Sequence, residues 1–155
     1  MRRRGNAKGI LILGGALAVI ILLIISLFNG RKSPEEQAAE AVHQFYTYEQ
    51  DGTFSESWEM FHPLMQQKFD KGYYIQDRAH VFMNHFGVTT YSYTLSEPTK
   101  VTNWAMEDGA EPLEQAIKFA IYKTYKGKYG NFTIVQDVYA TELQGKWRIL
   151  WDYNK

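Results

Sequence analysis

Chemistry in this sequence is suggested mainly by histidines and by carboxylates near them. His62 precedes Pro63, and a residue before proline is disfavoured in the α region, so we expect this histidine at a break between two helices. There its imidazole would either cap the following turn or act as a general acid or base, and capping is the prediction. Asp77 and His80 are three residues apart, which would make either a catalytic carboxylate-imidazole pair or a solvated ion pair.

Motifs for metals, nucleophiles and phosphates are missing from the sequence. His80 and His85 are five residues apart and do not share a helix face, so they do not predict a zinc site. There is no Ser-His-Asp order and no glycine-rich phosphate loop. The prediction is therefore a protein without a metal, without a cofactor and without enzymatic activity.

A long apolar run lies near the amino terminus. Residues 10–28, ILILGGALAVIILLIISLF, are nineteen residues without a charge, and about twenty helical residues cross a hydrocarbon core about 30 Å thick. The run is longer than the core of a cleavable signal, and it continues into Asn29-Gly30-Arg31-Lys32 instead of a cleavage site of small residues. It predicts an uncleaved, single-pass membrane anchor.

Flanking charges orient the predicted anchor. Residues 1–9 carry four basic side chains and the linker, residues 29–33, carries two. The positive-inside rule therefore places the basic tail in the cytoplasm and residues 34–155 outside the cell membrane. Gly14 and Ala18 have the small-xxx-small spacing that would let two membrane helices form a homo-oligomer, with scattered small residues as the alternative interpretation.

The predicted outer domain is acidic and has no cysteine. Residues 33–155 hold eleven basic and seventeen acidic side chains, a net charge of minus 6. This disfavours nucleic acid as a partner, because such binding depends on neutralising phosphates. A domain without disulfides that faces an oxidising space is typical of a Gram-positive bacterial exterior.

Three helical patterns open the outer domain. A capping box of Ser33 and Glu36 begins the first helix, and a second box beginning at Thr53 starts a shorter one. A turn at residues 70–72 precedes a third amphipathic helix, whose apolar residues run from Ile75 to a stop at Gly87.

From residue 89 the apolar period becomes two, which is typical of strands. The predicted strands are 89–96, 100–106, 115–127, 131–143 and 146–155. We expect the first two to form a hairpin at Glu97-Pro98-Thr99, and Gln144-Gly145 to make a tight turn into the last. The prediction is an α+β domain of three helices packed on a curved antiparallel sheet of about five strands.

This order of helices followed by a meander with a Trp-rich last strand resembles the nuclear transport factor two-like superfamily, whose cone-shaped fold includes ketosteroid isomerases and many bacterial accessory domains. The stretches that carry the resemblance are AVHQFYTYEQDGTFSESWEMFHP, residues 41–63, and GKWRILWDYN, residues 145–154. The resemblance implies a sheet bent around a pocket that the helices close. One departure is that some members have a short hairpin where this chain has only residues 70–72.

A pocket inside such a cone would be lined by side chains of the strands. The superfamily's enzymes place an aspartate or histidine base there, and Asp137, in the middle of a strand, is the best carboxylate. Its face of the strand, shared with Val135 and Tyr139, is either the pocket face or the outer face of the sheet. The aromatic side chains would either line the pocket or form ordinary core. The pocket candidates are Tyr91, Tyr93, Trp104, Tyr122, Asp137, Tyr139, Trp151 and His80, with His62 and Pro63 as structural residues.

The expected function is binding of an envelope protein or a cell-wall component by a membrane-tethered domain, which a broad hydrophobic patch would favour. A small-molecule or peptide sensor is the first alternative, and it needs a cavity on the order of several hundred cubic ångströms with convergent polar groups. An isomerase-like or cyclase-like enzyme is the second. It needs Asp137 or His80 buried opposite a tyrosine hydroxyl.

Overall fold

The computed structural model describes residues 17, 19–20, 32–80, 88 and 90–154. The chain divides into two units, Met1–Ser33 and Pro34–Lys155. Within the described ranges, no helix is both long enough and apolar enough to cross a membrane. Apart from residues 17, 19 and 20, the predicted anchor lies outside the described residues, as do the basic tail and most of the linker, so these remain predictions.

The second unit is an α+β domain in which helices precede an antiparallel sheet. The helices are α1 (Pro34–Gln50), α2 (Phe54–Glu59), α3 (Pro63–Lys68) and α4 (Lys71–Ala79). The strands are β1 (Tyr91–Leu95), β2 (Thr99–Trp104), β3 (Leu113–Gly127), β4 (Gly130–Leu143) and β5 (Lys146–Trp151). The described part therefore has four helices where three were predicted, because the segment that follows the predicted break at Pro63 forms a separate short helix.

The longest helix, α1, is fixed by signals at both ends and by one buried face. Pro34 occupies the first helical position, where its fixed φ is already helical. After the last turn, Gly52 has a φ of 73°, which glycine adopts at little cost. The buried side chains recur every three or four residues: Ala38, Ala41, Val42, Phe45, Tyr46 and Glu49. This face packs α1 against β4 and β5.

The break between α2 and α3 is built by His62 and Pro63. The φ and ψ of His62 are −63° and 149°, the extended conformation favoured before proline. Its Nδ1 accepts a hydrogen bond from the backbone N–H of Leu64 at 3.3 Å, so the imidazole caps α3. The capping box predicted at Thr53 is wrong, because this hydroxyl donates to the carbonyl of Tyr48 and does not cap α2.

The segment predicted as a turn at residues 70–72 is the beginning of α4. The carboxylate of Asp70 accepts hydrogen bonds from the backbone N–H groups of Gly72 and Tyr73 at 2.9 and 3.2 Å. Asp70 is therefore an N-cap that satisfies two of the free donors of the first turn. The predicted continuation of this helix to Gly87 lies outside the described residues.

The sheet has the order β1-β3-β4-β5, and β2 also pairs with β3. Tyr91–Leu95 lies opposite Ile121–Tyr125, and Thr99–Trp104 lies opposite Leu113–Lys118, so β1 and β2 follow each other along the same side of β3. The predicted hairpin between them is wrong. The proline ring holds the φ of Pro98 at about −65°, whereas two-residue hairpin turns need positive φ values. The chain therefore does not reverse at Pro98, and β2 continues in the direction of β1.

The tight turn predicted between the last two strands is confirmed. Gln144 and Gly145 have φ values of 53° and 74°, the two positive values of a type I′ turn. The free edge of β5 is covered by the segment between α2 and α3. Ile149 donates to the carbonyl of Met60 and accepts from the N–H of His62, both at 3.0 Å.

Alternate residues of β3 and β4 face the helices, and we call this side the inner face. Its residues are Ile117, Phe119, Ile121, Lys123 and Tyr125 on β3, opposite Ala140, Val138, Gln136, Ile134 and Phe132 on β4. The main core lies between the inner face and α1, where the rings of Phe45, Phe61 and Trp151 meet with centroids 5.0 to 6.1 Å apart.

Candidate functional site

The predicted pocket residues on β4 lie on the outer face of the sheet. Asp137 points away from the helices and pairs with Lys118, with Oδ2 and Nζ 2.6 Å apart. Tyr139 is on the same face, where the indole of Trp104 stacks on it at a centroid distance of 3.6 Å and an angle of 8°. These three residues therefore do not contribute to a pocket between the sheet and the helices.

The other predicted residues are scattered. Tyr122 is on the outer face, 44% exposed, and Trp151 is part of the aromatic core. Tyr93 donates from its hydroxyl to the carbonyl of His43 at 3.1 Å. His80 is exposed at the end of α4. Of the eight candidates, Tyr91 lines a cavity described below, and the other seven line neither of the two described here.

A buried polar network joins α1, α2 and α4. The carboxylate of Glu49 accepts hydrogen bonds from the hydroxyls of Ser57 and Tyr74 at 2.7 and 2.6 Å and forms a salt bridge with Arg78. The side chain of Glu49 has no exposed surface. Burial, and then the charge of Glu49, raise the pKa of Tyr74 above its usual value, so this phenol stays a donor.

A cavity of about 320 Å³ lies beside this network. Glu49, Arg78, Tyr91 and Tyr125 contribute its polar wall, and Phe54, Ile75 and Val88 are among its apolar residues. Since both oxygens of Glu49 are already bonded within the protein, its first role is to connect the three helices.

Lys123 is a buried amine on the inner face that the sequence analysis did not single out. It is 4% exposed, and its Nζ donates to Oε1 of Gln136 at 2.9 Å. Burial, and then the positive charge of Arg78, lower its pKa to about 8. Such an amine is chemically capable of proton transfer, but Lys123 lines neither of the two cavities. A lysine between Ile121 and Tyr125 at inward-facing positions was the available signal.

A larger groove, of about 740 Å³, lies where the first turn of α1 passes over the ends of β2 to β5. We call it the α1 groove. Ile117 and Ala140, opposite each other on the inner face, form its floor, and Trp147 and Pro34 contribute to its walls. Its polar lining consists of Lys100, Thr102, Glu114, Gln115, Thr141, Glu142 and His62.

The α1 groove carries more negative than positive charge. Lys100 is the single lysine or arginine among the lining residues and forms a salt bridge with Glu35 at 2.5 Å, whereas Glu114 and Glu142 both line the groove. Burial, and then the charge of Arg148, lower the pKa of His62, so its ring is neutral at pH 7. Because Nδ1 accepts from Leu64, the ring proton lies on Nε2.

One edge of the sheet is open at the opposite end of β4. Gly130–Asp137 pairs with β3 on one side, and pairing with β5 begins only at Val138. Among the described residues, no backbone hydrogen bond is made on the other side of Thr133–Asp137. We call this segment the open β4 edge. Its Ile134 and Val135 are 41% and 57% exposed on the two faces of the sheet.

The described ranges contain no cluster of three His, Cys, Asp or Glu side chains that could hold a metal ion. Two features remain as candidate sites, the α1 groove and the open β4 edge. Comparisons with known proteins do not assign the chain to a family. The resemblance to the nuclear transport factor two-like superfamily therefore stays a prediction. No protein-family model and no curated protein matches the sequence.

Proposed function

We propose that this chain is a non-enzymatic, membrane-tethered domain that binds an envelope protein outside the cell by adding an extended segment of that protein to the open β4 edge. The observation that carries the proposal is the run Thr133–Asp137, in which one side of a strand has no pairing partner among the described residues. Unpaired N–H and C=O groups in a row are a template for another strand. The tether is the apolar run at residues 10–28.

The other sheet edges carry features that usually prevent such pairing. The edge of β5 is bonded to residues 60–62. The β1–β2 edge is interrupted at Pro98, carries Lys100 and bends at Asn103, which has a φ of 52°. In contrast, residues 133–136 of the open β4 edge include no charge and no proline. This difference supports the open β4 edge as a binding surface.

Apolar side chains beside the edge would contact the added strand. Val135 and Tyr122 are opposite each other on the outer face and are 57% and 44% exposed, and Ile134 is exposed on the inner face. A partner segment with apolar residues at alternate positions would pack on either face.

Charge favours a different protein over a second copy of this chain. Residues 33–155 carry a net charge of minus 6, so two copies brought edge to edge would repel each other. A neutral or basic segment has no such penalty. The partner is therefore an envelope protein with an extended, neutral or basic segment.

The two residues that an enzyme was expected to use, Asp137 and His80, do not lie in a cavity. Asp137 is on the outer face in an ion pair with Lys118, and His80 is exposed, so neither lies opposite a tyrosine hydroxyl in a cavity. The same geometry gives an isomerase-like or cyclase-like reaction no base at these positions.

Photocrosslinking of the full-length protein in cell membranes tests the proposal. A photoreactive amino acid at Thr133, which is exposed on the outer face, should crosslink to a single extended stretch of one partner. Adding Val135→Lys should reduce this product by about tenfold or more, because an edge lysine hinders strand addition. Tyr73→Lys is the matched control, since Tyr73 is 77% exposed on α4.

Two results would contradict the proposal. One is a product that persists with Val135→Lys while the variant unfolds at the same temperature as the wild type. The other is a crosslink between two copies of this chain as the main product, which would make the edge a homodimer interface.

A further inference from the structure

We propose that the α1 groove binds a neutral saccharide, such as a short segment of a glycan. This site is separate from the open β4 edge and does not depend on the function proposed for that edge. The argument uses the size of the groove, the polar side chains around it, its tryptophan and its charge.

The groove is large, and its floor is made of small or branched apolar side chains. Its volume is about 740 Å³, within the range of ligand sites in proteins. Ala140 and Ile117 lie side by side on the inner face. The small side chain of Ala140 leaves the space above this part of the sheet open.

The polar side chains of the groove together offer both donors and acceptors of hydrogen bonds. Thr102 and Gln115 are opposite each other on β2 and β3, and Glu142 lies further along the groove on β4. Hydroxyl, amide and carboxylate groups together offer donors and acceptors in one place. A sugar hydroxyl is itself both a donor and an acceptor, so a ring with several hydroxyls satisfies all of them.

Trp147 gives the groove an aromatic side. Its indole is half-buried, and its Nε1 donates to Oε1 of Gln37 at 3.5 Å, which ties the ring to α1. A sugar ring has an apolar face of C–H groups, and a flat indole is the side chain that best covers such a face. The groove thus combines an aromatic surface with hydroxyl-binding side chains.

Charge and backbone pairing exclude other classes of ligand. The negative charges of Glu114 and Glu142 repel phosphates and carboxylates. The only lysine of the lining, Lys100, is paired with Glu35 and does not offset this repulsion. A peptide would need free backbone groups on the floor, but Ile117 and Ala140 belong to strands that are paired on both sides there. A neutral, hydroxyl-rich ring meets neither obstacle.

Calorimetric titration of the full-length protein with the tetramer of N-acetylglucosamine tests the proposal. The detergent must not be a glycoside, since its head group would compete. We expect saturable binding that weakens by about tenfold in Trp147→Leu and by about three- to tenfold in Thr102→Val. Trp147→Phe should keep most of the affinity, because it keeps an aromatic face.

Thr124→Val is the matched control for Thr102→Val, since Thr124 lies on the outer face of β3, paired with Thr133. This variant and Val135→Lys should bind the tetramer like the wild type, so failure of this proposal is distinguishable from failure of the partner site. Absence of binding at millimolar tetramer would overturn the inference. Equal affinity of the wild type and Trp147→Leu would also overturn it, as would a neutral tetrapeptide that competes for the groove.

Discussion

Because Lys123 is buried, protonation of its amine lowers the stability of the folded state. The pKa of this amine is lowered to about 8 in the folded protein, whereas the pKa of a lysine in an unfolded chain is about 10.4. Between these values the unfolded state binds more protons, so the free energy of unfolding contributed by Lys123 rises with pH. Below pH 8 both states are protonated and the full penalty remains.

Replacing this lysine should therefore stabilise the domain. We expect Lys123→Met to raise the free energy of unfolding at pH 7 by about 1–2 kcal/mol, because an apolar side chain of similar length replaces a buried charge. The variant should also lack the rise in stability that the wild type shows from pH 8 to pH 10. Urea unfolding of the full-length protein in detergent micelles measures both effects.

Lys126→Met, on the exposed side of the same strand, is the control and should change stability by less than about 0.5 kcal/mol. Titrations should stop near pH 10, since the buried tyrosines, whose pKa values are raised, lower stability above that pH. A less stable Lys123→Met at pH 7 would mean that the hydrogen bond to Gln136 outweighs the cost of burial.

At the scale of elements, the Glu49–Arg78 pair connects helices that otherwise share little surface. α2 has six residues, too few to be stable alone, so its position depends on contacts such as the hydrogen bond from Ser57 to Glu49. Removing one member of a buried pair leaves an uncompensated charge, which is more costly than removing both.

A double-mutant cycle on the pair follows from this. We expect Glu49→Leu and Arg78→Met each to lower the free energy of unfolding by about 3–5 kcal/mol, and the double variant to be more stable than either. Denaturant unfolding of the four proteins gives the coupling energy. If the effects of the single variants simply add, the two charges do not act as a pair.

Local signals were sufficient for the starts of α1 and α3 and for one turn. Pro34, Pro63 and Gly145 act through their own φ angles, and the structure places α1, α3 and the last hairpin at these residues. The partner of β2 depends on distant residues, and no local pattern distinguishes a hairpin from two strands in line. The last strand was predicted to run to residue 155, but it ends at Trp151.

The cause of this early end lies beyond the strand. Oδ1 of Asp152 accepts from the N–H of Asn154 at 2.9 Å, and the amide of Asn154 donates to the carbonyl of Ala105. These bonds turn the chain away from β4. Because the predicted last strand was too long, the open β4 edge could not be recognised from the sequence.

The α1 groove was not predictable for a similar reason. Thr102, Gln115 and Glu142 belong to three strands and meet only through the register of the sheet. The aromatic pattern instead indicated Trp104 and Tyr139, which stack on the other side of the sheet. Single-sequence periodicity gives the two faces of a strand, but packing decides which one the helices cover.

For the whole molecule, the two proposed sites lie toward opposite ends of one strand. Glu142 lines the α1 groove, and Ile134 is on the open β4 edge. Eight residues at about 3.3 Å each separate them by about 26 Å. Groups this far apart with no shared contacts act independently in most proteins.

We therefore expect saccharide and partner to bind together. Saturating the groove with the N-acetylglucosamine tetramer should change the yield of the Thr133 crosslink by less than about twofold. The crosslinking assay with and without the sugar measures this, and Trp147→Leu shows whether any change comes from the groove. A large change in yield would mean that the two sites are coupled through β4.

The pairing of Phe61 with Ile149 has a consequence for how the chain reaches its final state. The ribosome synthesises the helices before β5, so the segment from Met60 to His62 has no strand to join until β5 has been made. Contacts between such distant residues slow folding, since a long loop must close before they form. During this delay the apolar side of α1 is available to chaperones and proteases. A chain shortened before Lys146 would remain in that vulnerable condition.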